Sequence, residues 1–394
     1  MQPTKRELTA RLARFIDTMT ALHPDWETAL ILSKVNQYYF TGTMQNALLL
    51  IRRDGSFACF VRKSFDRAKA ESPLSGIYPM RSYRDAAASF GAACGVTYFE
   101  ADTVPYAVIE RVRQYFDISE LRSLEGALGL SRARKSPYEL AIMEEAGERH
   151  TRVLLEDVPA LLREGMTEAE FFGELYLALL RRGHHGISRF SRFQTEIVVG
   201  QIAFGENSLA PTSFDGPGGQ LGVGPAAPLA GNHTRRLTRG DLVFVDFAFG
   251  LDGYHTDKTQ VYSFGGEPAN EAATAHRFCM DIQATCAAML RPGAIPADIY
   301  RDTLAGTSAD DLKYFMGSTD PVKFLGHGVG LHVDESPVIA AGIDTPLEEG
   351  MAIALEPKKG VPGIGMVGVE ETYLVTPSGG RCITGGAREI IPVY

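Results

Sequence analysis

The sequence predicts an α+β protein of two domains, an α/β domain over residues 1–133 and a larger α+β domain over residues 134–394. Three observations carry this prediction. Helix-like and strand-like segments alternate in the first third of the chain, which is typical of an α/β unit. A capped helix then begins at Ser136 and marks a boundary. Beyond it, a ten-residue pattern occurs twice, once in each half of the remaining chain.

The first domain begins with a helix expected over residues 5–22, because Leu8, Leu12, Phe15 and Met19 form one apolar stripe. Turn residues at 53–56 predict a hairpin between two short strands. No group of reactive side chains stands out in this domain. The other expected elements are strands 29–32, 47–52 and 57–61, helices 63–70 and 84–94, strand 96–100 and helix 104–116.

The second domain opens with two helices that carry sequence caps. Ser136 is a natural N-cap, Pro137 suits the first helical position, and Glu139 completes a capping box. Thr167 and Glu170 repeat the arrangement for a helix over residues 168–182. Two well-defined helix starts are therefore expected here.

The repeated pattern lies in Arg163–Phe172 (REGMTEAEFF) and Arg291–Tyr300 (RPGAIPADIY). Each copy precedes a strand-rich block that contains unusually placed acidic residues. We interpret the domain as two similar α+β halves that face each other. A site between such halves is concave and shielded from solvent.

Composition describes an ordinary globular protein and excludes several partners. The net charge is −9 and the pI is near 5.6, so we expect no binding to nucleic acid or to a membrane, since both need a basic face. Five cysteines lack CxxC spacing and indicate reduced thiols. The N-terminus has no apolar signal region and no segment has membrane-spanning length, so we expect a cytoplasmic protein.

The stretch Gly240–Gly265 carries the strongest functional signal. It reads as a β-hairpin, and Asp246 interrupts its first apolar strand while Asp257 lies in the second. A buried carboxylate must be paired, protonated or bound to a cation. Antiparallel partners lie about 5 Å apart at Cβ, so the two side chains can converge. A metal ion between them removes their repulsion.

Three further residues have matching surroundings. His327 lies among three glycines, Glu356 follows an apolar strand, and Glu370 repeats that arrangement before another strand. Together with the two aspartates they form the ligand set of a pair of divalent ions. Oxygen ligands with one nitrogen and no thiolate favour manganese, cobalt, iron or zinc.

The Gly- and Pro-rich segment 205–232 is a long loop between the two halves. Loops of that length inside a domain are uncommon and usually functional. We expect either a lid or wall for substrate or a mobile surface excursion.

The motifs VDFAFGLDGYHTD, GHGVGLHVDESP, ALEP and GVEETYLVT resemble those of the "pita-bread" metallopeptidases of family M24. Segments 36–55 and 133–147 resemble the creatinase-type N-terminal domain and the junction after it. The resemblance therefore points to the branch of aminopeptidase P, prolidase and creatinase. It implies a creatinase-like α/β N-terminal domain followed by a pita-bread domain, which is a duplicated α+β fold.

The resemblance also implies a site. Two divalent ions are expected, manganese first, with cobalt, zinc or iron(II) as alternatives, bound by Asp246, Asp257, His327, Glu356 and Glu370. A hydroxide that bridges the ions would attack the scissile carbonyl, and Glu356 would carry its proton to the leaving amine. The substrate would be a small peptide or another small molecule, and the family implies a homodimer.

Three positions depart from the peptidase pattern. The second histidine that usually follows the metal histidine is replaced by Asp334. The region Pro225–Leu229, ahead of the first metal aspartate, contains no histidine, and Gln260 occupies the place of a usual arginine. Because those histidines hold the substrate carbonyl, their replacement bears directly on the reaction.

Other residues are candidates for the missing role. His332 shares a side with Asp334 if the segment is extended, and we include both as candidate catalytic residues. For His332 as well, packing or surface exposure is the simpler interpretation. His255, beside Asp257, is expected to point to the opposite face of its strand and not to be a ligand. The same simpler interpretation holds for three further candidates, His184, His185 and His233.

Three functions stay open at this point. The first is a dinuclear metal hydrolase, an aminopeptidase or dipeptidase of Xaa-Pro type. The second is a relative that kept the metals and changed the reaction, similar to ectoine hydrolase or dimethylsulfoniopropionate lyase. The third is a catalytically silent binding module.

Overall fold

The computed structural model describes residues 2–192 and 194–394. The chain divides into two units, Met1–Arg132 and Ala133–Tyr394. No helix within these described residues is long and apolar enough to cross a membrane.

The N-terminal unit is built on a mixed sheet with strand order β4-β3-β2-β1-β5-β6. Its first three strands in sequence pair antiparallel, and the others add in parallel. The strands are β1 (Thr28–Ile31), β2 (Asn46–Arg52), β3 (Phe57–Lys63), β4 (Ile77–Pro79), β5 (Ala93–Phe99) and β6 (Asp117–Ser123). The helices are α1 (Lys5–Leu22), α2 (Lys34–Thr41), α3 (Phe65–Glu71), α4 (Tyr83–Phe90), α5 (Tyr106–Arg113) and α6 (Glu125–Ala133).

The first helix and the first hairpin form as predicted. The stripe of four apolar residues along α1 is buried, and the Thr4 side chain caps the helix by accepting a hydrogen bond from Glu7 N. In the turn between β2 and β3, Gly55 adopts φ +87°, which a glycine reaches without strain. The formation of α1 and of the β2–β3 hairpin is therefore determined by their local sequences.

Other elements differ from prediction. The helix expected over residues 84–94 ends at Phe90, because Gly91 follows with φ +94°, and β5 begins at Ala93. The sequence patterns did not indicate α2 or β6. Both have weak patterns of their own: α2 is a short helix with buried polar residues, and β6 is a mostly exposed edge strand.

The second unit contains a four-stranded sheet of order β17-β9-β8-β7, a five-stranded sheet of order β11-β10-β12-β15-β16 and the hairpin β13-β14. Its helices are α7 (Pro137–Arg152), α8 (Val158–Leu161), α9 (Glu168–Arg181), α10 (Asn270–Ala288) and α11 (Pro296–Leu304). Its strands are β7 (Gly200–Phe204), β8 (Leu242–Leu251), β9 (Tyr254–Phe264), β10 (Phe324–Gly328), β11 (Glu335–Ala340), β12 (Ala352–Leu355), β13 (Lys358–Val361), β14 (Gly365–Gly368), β15 (Glu371–Thr376), β16 (Gly379–Cys382) and β17 (Ile391–Val393).

Both predicted capping boxes are present. Ser136 Oγ accepts a hydrogen bond from Glu139 N at 3.2 Å, and the Glu139 carboxylate accepts one from Ser136 N at 2.8 Å. Thr167 and Glu170 exchange the same pair of bonds at the start of α9. Each box satisfies backbone N–H groups that the first helical turn leaves without partners.

The repeated sequence pattern corresponds to a repeated structure. In the first copy, Leu237 O accepts a hydrogen bond from Gly165 N at 2.8 Å, and Leu237 N donates one to Met166 O at 2.9 Å. In the second copy, Leu347 makes the same two bonds with residues 293 and 294, at 2.8 and 2.9 Å. The two copies thus anchor equivalent turns, one ahead of β8 and one ahead of β12.

Candidate metal centre

The hairpin β8–β9 places both aspartates on one face of its sheet. Asp246 lies opposite Thr259, and Asp257 lies opposite Ala248. Residues paired across an antiparallel ladder, and residues two apart along a strand, point to the same side. The two carboxylates are therefore diagonal neighbours, held there by the register of a strand pair that is buried along nearly its whole length.

The second half supplies the other three candidate ligands. His327 lies in β10 beside Ala354 of β12, and Glu356 follows β12 directly. Glu356 is the ninth residue after Leu347, as Asp246 is the ninth after Leu237, so equivalent turns lead to both carboxylates.

Glu370 precedes β15 and connects the two sheets. It pairs with Thr259 of β9, with Thr259 N donating to Glu370 O at 3.2 Å. The Thr259 hydroxyl also donates to Glu370 Oε2 at 3.1 Å. The carboxylate is thereby fixed at the meeting point of the two halves.

The five predicted ligands come together in one buried cluster. His327 Nε2 lies 3.3 Å from Glu356 Oε1 and 3.8 Å from Glu370 Oε1. Asp257, His327 and Glu370 each offer one ligand atom within 4.8 Å of the others. The four carboxylate residues are at most 9% exposed, so water alone does not stabilise their charges.

A sixth residue, Lys358, lies in the middle of this cluster and was not predicted. Its Nζ lies 2.9 Å from Asp246 Oδ2 and 2.8 Å from both Glu356 Oε2 and Glu370 Oε2. Lys358 is 1% exposed. A signal for it exists in the sequence: it stands two residues after Glu356, where an extended chain brings it to the same side.

Burial governs the ionisation of the aspartates. It raises the pKa of Asp246 to about 6, since the repulsion from Glu370 adds to burial while the Lys358 ammonium opposes it. Burial, Glu370 and Asp246 together raise the pKa of Asp257 well above its usual range. A bound cation relieves the repulsion that shifts both groups.

The pKa values of His327 and Lys358, the two basic groups of the cluster, are also raised, which for these groups favours the charged form. Burial lowers the pKa of His327, but its contact with Glu356 and the charges of Glu370 and Asp257 outweigh burial and raise it to about 10. The pKa of Lys358 is likewise raised well above its usual range, because its three carboxylate partners outweigh burial. The cluster therefore attracts positive charge strongly.

The residues fit a divalent metal ion. His327 Nδ1 lies 3.0 Å from Gly328 O, and donation to that carbonyl leaves Nε2 as the nitrogen available to a metal. Glu370 Oε1 is buried and has no hydrogen-bond partner among the described residues. An imidazole nitrogen with carboxylate oxygens is a donor set for manganese, iron, cobalt or zinc.

The hydrogen bonds given for Asp334 and for the backbone of His332, in the segment before β11, go to residues outside the cluster. Both carboxylate oxygens of Asp334 accept hydrogen bonds from Ser191, at 2.7 Å from its N and 2.9 Å from its Oγ. The backbone N–H of His332 donates to Glu335 Oε1 at 2.9 Å. The segment 329–334 is irregular rather than extended, so the predicted shared side does not follow from strand geometry.

The other histidines have separate surroundings. His184 Nδ1 accepts a hydrogen bond from Gly186 N, and burial lowers the pKa of His184 to about 4. His185 Nε2 donates to Ile187 O at 2.8 Å, and His233 is exposed. None of the contacts described for these side chains reaches the cluster.

His255 corrects the expectation about its direction. It is two residues from Asp257, so both side chains lie on the same face. Its ring nitrogens are nonetheless engaged elsewhere: Nδ1 lies 3.0 Å from Gly330 O, and Nε2 accepts a hydrogen bond from Arg189 N at 3.4 Å. It is therefore unavailable as a ligand, though not for the reason the sequence suggested.

The segment 205–232 is held against the edge of β7. The buried Glu168 carboxylate accepts hydrogen bonds from Phe204 N and Asn207 at one end of the segment and from Asn232 N at the other. In the middle, Gln220 Oε1 accepts a bond from Ile202 N at 3.0 Å. These contacts favour a wall over a free excursion.

Gln201 is a further polar residue that the sequence did not single out. It lies opposite Asp246 across the β7–β8 pair, so both point to the same face. Its side chain is buried, and neither amide atom has a hydrogen-bond partner among the described residues. A hypothetical Cβ on Gly218 would lie 2.2 Å from Gln201 Oε1, so the wall segment covers this amide closely.

Comparison with known proteins identifies the class. Residues 141–377 match the profile of metallopeptidase family M24, and residues 11–133 match the creatinase/prolidase N-terminal domain. The first match covers more than half of the chain. The chain therefore belongs to metallopeptidase family M24, with a creatinase-type N-terminal domain and a pita-bread domain, and is a hydrolase of the peptidase class.

Individual relatives are peptidases by name. The chain is 24% identical to an Xaa-Pro dipeptidase of Pyrococcus horikoshii over 93% of this chain and 94% of the relative. It is 31% identical to a probable dipeptidase PepE of Mycobacterium tuberculosis over 66% of this chain and 60% of the relative. The crystal structure of dipeptidase PepE from Mycobacterium ulcerans superposes with a TM-score of 0.78, at 23% identity and full coverage of both chains.

Proposed function

We propose that this protein is a metal-dependent dipeptidase or aminopeptidase that releases the first residue of small peptides with proline in second position. The observation that carries the proposal is the buried group Asp257, His327 and Glu370, whose ligand atoms lie within 4.8 Å of one another in a chain of family M24. The names of the Xaa-Pro dipeptidase relatives support the substrate class.

When bound, a divalent ion supplies Lewis acidity, which activates a water molecule and polarises the scissile carbonyl. Asp257, His327 and Glu370 would hold it. The cluster carries excess negative charge and therefore favours a substrate with a positively charged amino terminus. Glu356 Oε1 lies 3.3 Å from His327 Nε2, which supports a role in which Glu356 would accept a proton from water and return it to the leaving amine.

Three further statements belong to this proposal. Manganese is the first choice among the ions on the basis of the family resemblance, and the donor set is compatible with it. The family resemblance supports a homodimer, and cysteines without CxxC spacing support a cytoplasmic location. Lys358 Nζ contacts three of the predicted ligands, so we do not propose the expected pair of ions with a bridging hydroxide.

Release of proline from Xaa-Pro dipeptides tests the proposed function. We expect release by the wild-type chain with Mn²⁺ or Co²⁺, and at least a hundredfold loss in His327→Ala, because a metal ligand is removed. The exposed His233 provides the matched control, and His233→Ala should retain activity. Absence of release across a panel of dipeptides and metals would remove the peptidase proposal.

A second candidate function is hydrolysis or lyase chemistry on a small non-peptide molecule. It is favoured by Asp334, which stands where peptidases place a histidine and which Ser191 engages through both oxygens. A screen of cyclic amidines, guanidino compounds and sulfonium acids distinguishes it. Turnover of one of these compounds with no release from Xaa-Pro peptides would establish this alternative.

A further inference from the structure

Lys358 occupies a position that a two-ion centre needs for metal. The residue begins β13, where it pairs with Gly368, and its side chain extends into the carboxylate cluster. An ammonium group has three N–H donors, and three different carboxylates lie 2.8 to 2.9 Å from Nζ. Its full hydrogen-bonding capacity is directed at predicted metal ligands.

The remaining ligand atoms suffice for a single ion. Lys358 takes one oxygen each from Asp246, Glu356 and Glu370. Glu370 Oε1 keeps no hydrogen-bond partner among the described residues, and it lies 3.8 Å from His327 Nε2, the nitrogen available to a metal. The carboxylate of Glu370 therefore faces the ammonium with one oxygen and the metal group with the other.

We propose that the Lys358 ammonium replaces one of the two divalent ions, so that this centre binds one ion at Asp257, His327 and Glu370. The lysine then performs the electrostatic task of the second ion, since it neutralises part of the carboxylate charge and fixes the directions of three side chains. It differs from an ion in one respect: an ammonium has no open coordination position for water or for a substrate oxygen.

Charge supports a single ion. Four carboxylates and one ammonium leave the buried cluster with a formal charge of minus three, which one divalent ion reduces to minus one. A second divalent ion would have to approach the ammonium closely, because both would use the same oxygens. Like charges at such distances repel strongly where water is excluded.

This inference depends on the proposed function only through the identity of the metal ligands, and its test uses no substrate. Metal content per chain is measured by elemental analysis after loading with excess Mn²⁺ and desalting, and the environment of the bound Mn²⁺ is read by electron paramagnetic resonance. We expect one Mn²⁺ per wild-type chain with the spectrum of an isolated ion. Two ions per chain with the spectrum of a coupled pair, or no bound ion, would overturn the inference.

Substitution of the lysine provides the second arm. Lys358→Met and Lys358→Ala remove the ammonium, and we expect at least one of them to bind two Mn²⁺ per chain. The neighbouring Lys359 is the matched control, because it follows in the same strand and its ammonium contacts Asp311 O instead of the cluster. Lys359→Met should bind one ion.

The two arms separate the possible failures. Circular dichroism establishes that each variant is folded before its metal content is read. If folded variants of Lys358 bind only one ion, the lysine does not limit stoichiometry and the inference is wrong. If neither variant folds, the wild-type stoichiometry and spectrum decide alone. Failure to hydrolyse peptides leaves these readings unchanged, so the two proposals fail independently.

Discussion

Glu100 is a buried carboxylate of the N-terminal unit whose protonation is linked to stability. Its Oε2 accepts hydrogen bonds from Leu32 N at 2.6 Å and Ser33 N at 2.8 Å, and its Oε1 accepts one from Asn36 Nδ2 at 2.6 Å. Burial raises the pKa of Glu100 to about 7, although these three bonds lower it. The folded chain therefore holds a proton that the unfolded chain, with an ordinary pKa of 4.5, releases.

The sign of the pH dependence follows from this difference. The contribution of Glu100 to stability is fully present below pH 4.5 and is lost as the pH rises through 7, by about 3 kcal/mol in total. We expect the difference in unfolding free energy between wild type and Glu100→Gln to fall by about that amount from pH 4.5 to pH 8. Urea unfolding followed by fluorescence measures it, because Trp26 is the only tryptophan and is buried in this unit. A difference independent of pH would contradict the assignment.

Single residues also show what the sequence can and cannot reveal about the site. Asp246 and Glu356 were detectable because a carboxylate beside or within an apolar strand demands a partner. Lys358 was not detected, because once a metal had been invoked no further positive charge was needed. The expected direction of His255 was wrong, because residues two apart along a strand point to the same face and His255 is two residues from Asp257.

At the scale of elements, replacing two helical glycines, Gly147 and Gly173, by alanine should change the unfolding free energy in opposite directions. A Cβ on Gly147, in α7, would lie 2.1 Å from Ile383 O, whereas a Cβ on Gly173, in α9, has open space. Alanine in place of glycine favours a helix by about 1 kcal/mol. We expect Gly173→Ala to raise the unfolding free energy by up to that amount, measured by urea unfolding with circular dichroism.

Gly147→Ala should lower the unfolding free energy in the same measurement. The overlap is with a backbone oxygen, which cannot move aside as a flexible side chain can, so α7 must shift and lose packing worth about 1–3 kcal/mol. This loss exceeds the gain in helix propensity. Stabilisation by both substitutions would show that α7 does not pack as closely on Ile383 as the structure describes.

Elements with strong local signals were predictable, and those that depend on their neighbours were not. The capping boxes at Ser136 and Thr167 and the hairpin β8–β9 were confirmed, because a few adjacent residues determine each of them. By contrast, α2 contains Asn36 and Gln37, whose side chains are buried through bonds to distant parts of the unit. Such an element becomes recognisable only after its partners are in place.

At the scale of the whole molecule, the duplication explains why each half of the second unit contributes carboxylates to the candidate site. Equivalent turns anchored at Leu237 and Leu347 each lead into a strand that delivers a carboxylate. The repeated sequence pattern therefore indicated two halves before any coordinates. How those halves meet was beyond the sequence, because the contact between Thr259 and Glu370 joins residues more than a hundred positions apart.

Convergence of the two halves on one charged cluster links the stability of the second unit to metal. Without a divalent ion, buried carboxylates repel one another and Lys358 offsets only part of their charge. An ion that binds only the folded state of the chain stabilises that state by about 2.7 kcal/mol at a free concentration of 100 times its Kd.

We therefore expect Mn²⁺ to raise the midpoint of urea unfolding of the wild-type protein, measured by circular dichroism. Asp257→Asn keeps the shape of the side chain but removes a ligand charge, so the same Mn²⁺ concentration should produce a much smaller shift. Equal shifts in both proteins would place the stabilising metal elsewhere.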